Sequence, residues 1–237
     1  MNAVCQDHAI NESNVREKKL HKTKLPSYTK GEEIFNMVTH IVGGGIGVLT
    51  LAICVIIASL SGDTLGIVCG AIFGTSMITL YTVSSIYHGL RIGAGKRVFR
   101  ILDHCTIYFL IAGTYTPMLL CALARSHPIR AYVTFAAVWG LTALSVTLTA
   151  IDMERYKIFS MASYIVMGWA IIFSIRQMFD AIGPIGFALL LSGGLCYTGG
   201  TLFFRLGMTK KYFHSIFHIF VLFGSITHAL CVILFAI

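Results

Sequence analysis

Charged side chains are scarce in this sequence. Only 12% of its 237 residues are Asp, Glu, Lys or Arg, against about a quarter in a soluble domain. With 56% hydrophobic residues and a mean hydropathy of +0.79, that scarcity rules out a water-exposed surface over most of the chain and implies an integral membrane protein. Alternating apolar and polar segments of about ten residues, the mark of a transmembrane β-barrel, do not occur either. The seven cysteines (Cys5, Cys54, Cys69, Cys105, Cys121, Cys196 and Cys231) form no CxxC pair. All but Cys5 fall in or beside apolar runs, so small packing residues are expected rather than disulfides or a thiolate metal site. A cleavable secretory segment is not expected: the first 30 residues are polar and lysine-rich, and the first apolar run is too long for an h-region.

Against that background stand seven apolar windows at about 37–60, 65–90, 104–123, 129–150, 158–175, 181–204 and 213–237. Each approaches the roughly 20 residues a helix needs to cross the bilayer core. The expected fold is all-α, a polytopic bundle of seven transmembrane helices over residues 32–237, following a basic, mobile cytoplasmic tail over 1–31. Basic residues set the orientation. Arg16, Lys18, Lys19, Lys22, Lys24 and Lys30 lie in the tail; Arg91, Lys96, Arg97 and Arg100 in one loop; Arg155 and Lys157 in another; and Arg205, Lys210 and Lys211 in a third. The alternate loops hold only Arg125, Arg130 and Arg176. The positive-inside rule then places the N-terminus in the cytoplasm and the C-terminus outside the cell membrane. The net charge of +8 is a topology signal that also favours anionic headgroups; it requires no nucleic-acid partner.

Ionisable groups inside membrane helices are costly and so point to function. The second helix ends YTVSSIYHGL, with Ser84 and His88 one turn apart on one face. The third begins RILDHCTIYF, placing Asp103 at the same membrane face, and the seventh begins FHSIFH, bringing in His214 and His218. Three imidazoles with an open fourth position are a catalytic zinc arrangement. HSIFH has the histidine spacing of HExxH without its glutamate, so the base must come from elsewhere. Asp103 is the expected one, orienting or deprotonating water or hydrogen-bonding a ligand histidine; Ser84 would donate to the water or to an oxyanion. The competing reading makes each histidine a headgroup contact or an interhelical hydrogen bond. His104 is expected to be a packing or loop contact and His228 a satisfied core residue, while His8, His21 and His127 are expected to be solvated. Asn36 and His40 share a face with Glu33 a turn below; a polar anchor at the inner interface is preferred there to an active-site role. Gly43, Gly44, Gly45 and Gly47 in the first helix, and Gly193, Gly194, Gly199 and Gly200 in the sixth, suit close helix packing or local flexibility.

The segments EEIFNMVTH, SSIYH, DHCTIYFLIAGTYTPMLL and HSIFHIFVLFGSITH, in this order, resemble the hemolysin III family, the bacterial branch of the progestin and adipoQ receptor superfamily that includes the adiponectin receptors. The resemblance runs from about residue 31 to the end, and only the lysine-rich leader falls outside it. It implies a seven-helix bundle with a cytoplasmic N-terminus and a zinc ion held by His88, His214 and His218, with Ser84 in the SxxxH motif and Asp103 beside the zinc-bound water. It also implies a relation to alkaline ceramidases, and so a zinc-dependent lipid amide or ester hydrolase acting on membrane lipids in lipid homeostasis. The alternatives are a non-catalytic sensor of membrane state with structural zinc, and a cytolysin, as the family name has it. A light-driven rhodopsin is excluded, because the seventh helix carries no lysine beyond Lys211 and the topology is inverted.

Overall fold

The computed structural model describes residues 25–237. The expectations for most of the tail, including its mobility, Cys5, His8 and His21, lie outside the described residues. The first helix, α1 (Lys30–Leu60), opens on a capping box: the Glu32 amide donates to Thr29 Oγ1, and Glu32 Oε2 accepts from the Thr29 amide at 2.8 Å. Two otherwise orphaned donors are thereby satisfied, so regular helix begins inside the segment assigned to the tail. A tight turn with Gly62 at φ 70° leads to α2 (Thr64–Gly89), capped by Asp63 on the Gly66 amide.

The third helix, α3 (Ala94–Pro117), passes into a π-helical turn, Met118–Ala122, and a 3-10 turn, Leu123–Arg125. Pro117 supplies no amide hydrogen and crowds the carbonyl one turn back, which accounts for the change of pitch. Next come α4 (Pro128–Asp152), with proline at its first position where no amide is needed, and α5 (Lys157–Gly168). A 3-10 turn, Ala170–Ser174, joins α5 to α6 (Ile175–Leu206), and α7 (Phe213–Phe235) completes the chain.

Six helical stretches among the described residues are long and apolar enough to cross a membrane. The windows 158–175 and 181–204, expected as separate spans, share one stretch, Lys157–Leu206. Its 50 residues would extend about 75 Å as a straight helix. Gly183, at φ 69° and ψ 178°, with Pro184 behind it, kinks this stretch into 157–182 and 184–206.

Extensive seams join α1 to α2, α2 to α3 and α6 to α7, and α7 also packs on α1. The α3 stretch is the most enclosed of the spans. Large apolar side chains such as Leu49, Ile56, Leu60 and Phe173 face outward, as lipid-facing positions require. The glycines sort by face: a Cβ on Gly43 would run into the Tyr81 ring and one on Gly47 into Met77 and Ile78, while Gly45 faces open space. Gly193 and Gly200 lie against His228 and Phe220, and nothing lies near Gly194. All described cysteines are free, and Cys231 donates to Gly186 O at 3.2 Å.

In the α1–α2 seam, Gly74 meets backbone: a Cβ there would stand 2.5 Å from Leu51 Cβ and 2.6 Å from its Cα. Backbone cannot give way as a side-chain tip can. Gly74→Val is therefore expected to destabilise the bundle by about 1–3 kcal/mol, seen as a lower thermal midpoint in detergent. Gly45→Val, facing open space, is expected to leave the midpoint nearly unchanged.

Candidate metal centre

The ends of four helices meet at one end of the bundle: the start of α1, the end of α2, the start of α3 and the start of α7. On α7 the four-residue spacing puts His214 and His218 on one face, with their Nε2 atoms 3.0 Å apart. His88 comes from the last turn of α2, and one ligand atom from each of the three rings lies within 4.8 Å of the others. The three residues are only 2–6% exposed. Two imidazoles that turn Nε2 toward each other satisfy at most one hydrogen bond between them, whereas both can offer a lone pair to a shared cation. His88 adds to this: its Nε2 is buried and has no hydrogen-bond partner. Such an orphan is expensive inside a membrane, so this buried three-histidine group could hold a metal ion.

Each ring is fixed by neighbours. His88 Nδ1 lies 2.6 Å from Glu33 Oε2, and Glu33 Oε1 lies 2.8 Å from Lys96 Nζ. His218 is stacked on His40, centroids 3.8 Å apart, and His40 meets the edge of Tyr81. His214 is stacked on Tyr28 at 4.8 Å. Burial pushes the Tyr28 hydroxyl far above its ordinary value; Tyr87, Glu33 and Asp103 push the same way and Arg100 opposes them. The phenol therefore stays neutral over the centre.

The α7 backbone is tied down as well. Ser215 Oγ donates to Asn36 Oδ1 at 2.7 Å, and the Tyr212 amide donates to Glu32 Oε1 at 2.6 Å. Tyr212 adopts a left-handed φ of 63° immediately before the helix. Higher in the bundle, Tyr81 donates to Ser225 Oγ at 2.7 Å, and Tyr197 shares that hydroxyl.

The sequence-derived candidates can now be placed. His88, His214 and His218 come together as a cluster. Ser84 is buried one turn from His88 on α2. Asp103 is half-buried in the first turns of α3, near enough to affect Tyr28, but the carboxylate that bonds a cluster histidine is Glu33. His40, for which an interface anchor was the preferred expectation, is buried and stacked on His218. His104 Nδ1 donates to Arg100 O, and His228 Nε2 donates to Leu190 O at 3.0 Å, while the buried His228 Nδ1 has no partner, so His228 is only half satisfied. His127 is half-exposed beside Ser126. Sequence reasoning passed over Tyr28, Glu32 and Lys96. The T-x-x-E signature at Thr29–Glu32 was legible as a capping box; the contacts of Tyr28 and Lys96 depend on tertiary approach and had no local signal.

Comparison with known proteins decides the family. The Haemolysin-III related family model matches residues 28–229. The chain belongs to that family. It is 36% identical over 215 residues to Hemolysin-3 of Bacillus cereus, covering 91% of this chain and 96% of that protein. To the Hemolysin-3 homolog of Bacillus subtilis (strain 168) it is 34% identical over 212 residues, covering 89% and 97%. A more distant relative is the human Monocyte to macrophage differentiation factor, 27% identical over 164 residues and 66% of each chain. The family match begins at Tyr28, so this haemolysin-III member includes in its family domain the tyrosine that covers His214.

Glu32 joins the starts of α1 and α7 and is 3% exposed. Glu32→Ala removes a helix cap and leaves the Tyr212 amide without its acceptor. A loss of about 1–2 kcal/mol is expected, measured as a lowered thermal midpoint, with Glu32→Gln losing less.

Proposed function

We propose that this haemolysin-III protein is a zinc-dependent hydrolase of a lipid amide or ester, acting from within the cell membrane in lipid homeostasis. The observation that supports it most is the buried cluster of His88, His214 and His218 with the His88 Nε2 atom left unpartnered. Imidazole ligands suit zinc among the first-row metals, and no thiolate lies in the cluster. In this reading the three histidines hold the ion. When bound, zinc supplies a Lewis acid for the scissile carbonyl and acidifies a nearby water. Asp103 accepts the proton, and Ser84 donates a hydrogen bond to the developing oxyanion. The ends of α2, α3 and α7 that carry these groups meet at one end of the bundle, which supports a reading in which the substrate's carbonyl lies at headgroup level while its acyl chain stays in the bilayer.

The architecture proposed with it has seven crossings, N-terminus inside, the kink at Gly183 turning Lys157–Leu206 into two of them. A length of about 75 Å against a core of about 30 Å supports that division. Reporter fusions at residue 237 are expected to report the outer side and fusions in the 91–100 loop the cytoplasm; the reverse pattern would overturn the orientation.

A second reading has an observation of its own. Tyr28 stacked on His214 and His40 stacked on His218 enclose the cluster as a structural site would be enclosed, which favours a non-catalytic sensor in which zinc clamps α2 to α7. The relatives' name Hemolysin-3 would then describe lysis by membrane disturbance rather than by a dedicated pore. One assay separates hydrolase from sensor. Purified protein incubated with defined amide- and ester-linked lipids is expected to release fatty acid, and Asp103→Asn to lower that release by at least 100-fold while keeping its zinc. Release by Asp103→Asn at the wild-type rate would remove Asp103 from the mechanism, and no release from any lipid by zinc-loaded wild type would favour the sensor.

A further inference from the structure

Lys96 stands out among the described basic residues because it is buried, at 3% exposure, although the sequence places it in a basic loop. An ammonium has three N–H donors, and here each has an acceptor. Nζ lies 3.0 Å from Tyr87 O, 3.0 Å from Leu90 O and 2.8 Å from Glu33 Oε1. The two carbonyls belong to the end of α2, where helix carbonyls run out of intrahelical partners and the dipole favours a cation. They flank His88. The third partner, Glu33, holds the His88 ring through Nδ1 at 2.6 Å. One lysine thus fixes both the backbone that carries His88 and the carboxylate that orients its side chain.

We infer that Glu33, anchored by Lys96, is the positioning residue of the metal centre: it holds the His88 proton on Nδ1 and so keeps the Nε2 lone pair directed at the cluster. The inference rests on the metal reading proposed above. A carboxylate oxygen facing a ring nitrogen serves as the acceptor, so the 2.6 Å contact assigns its hydrogen to His88 Nδ1. Nε2 is left as the ligand atom, and it is the nitrogen without a partner. A carboxylate behind a ligand imidazole also raises its basicity and restricts its rotation. His214 and His218 are positioned by ring stacking, so the carboxylate acts on His88 alone.

The test is the zinc affinity of detergent-purified full-length protein, measured by competition with a chromophoric chelator. Glu33→Gln keeps the size and an acceptor but loses the charge, and is expected to bind zinc roughly 10–100-fold more weakly. Lys96→Met, which frees the carboxylate, is expected to weaken binding in the same direction. Nitrogen-15 NMR of histidine-labelled, zinc-loaded wild type is expected to show His88 protonated on Nδ1 and metal-bound through Nε2. Zinc affinity of folded Glu33→Gln within twofold of wild type, or a zinc-bound His88 protonated on Nε2, would overturn the assignment. If folded wild type binds no zinc, the metal reading itself fails, a result distinct from either of these.

Discussion

Inside a bilayer a polar side chain has no water to bond with, so every imidazole in the bundle must be held by another protein group or by a ligand. That constraint organises one end of this molecule. Glu33, His88 and Lys96 neutralise and hydrogen-bond one another across α1, α2 and α3, while His40 and Tyr28 cover His218 and His214 by stacking. The packing of α1 on α2 and of α7 on α1 brings these groups within reach. The glycine contacts along the α1–α2 seam allow the approach, and Tyr81, reaching from α2 to Ser225 on α7, fixes it further up.

The same constraint separates the structural histidines from the candidate ligands. His228 on α7 donates to the Leu190 carbonyl on α6, and His104 donates to Arg100 O on its own helix. The cluster differs in its convergence: three buried imidazoles from α2 and α7 bring ligand atoms within 4.8 Å of one another, and His88 Nε2 among them has no hydrogen-bond partner. A site built in this way could hold a cation.

Much of this was legible in the chain. Apolar windows of span length, HxxxH at the start of the last helix and SxxxH at the end of the second locate the three histidines, because helical periodicity and alternating direction are enough to assign them to one face. The sequence blocks also resembled the family that the comparisons establish. What escaped was set by tertiary approach. Glu33 was visible one turn from Asn36, but its contact with His88, 55 residues away, depends on how α1 meets α2. Lys96 carried the signature of a solvated loop charge, and only the free carbonyls at the end of α2 make its burial favourable. The division between the windows 158–175 and 181–204 was blurred for a local reason: the chain stays helical from α5 through Trp169 and the 3-10 turn into α6, and breaks only at Gly183, a single positive-φ residue within an apolar run.

The central claim is that the three buried histidines hold a metal ion, and elemental mass spectrometry addresses it directly. Detergent-purified wild type would be measured beside the His214→Ala/His218→Ala double variant, with both confirmed folded. The account predicts close to one zinc per chain in wild type and little in the variant. Folded wild type without zinc, or equal zinc in both proteins, would contradict it and leave the histidines as packing or proton-handling groups.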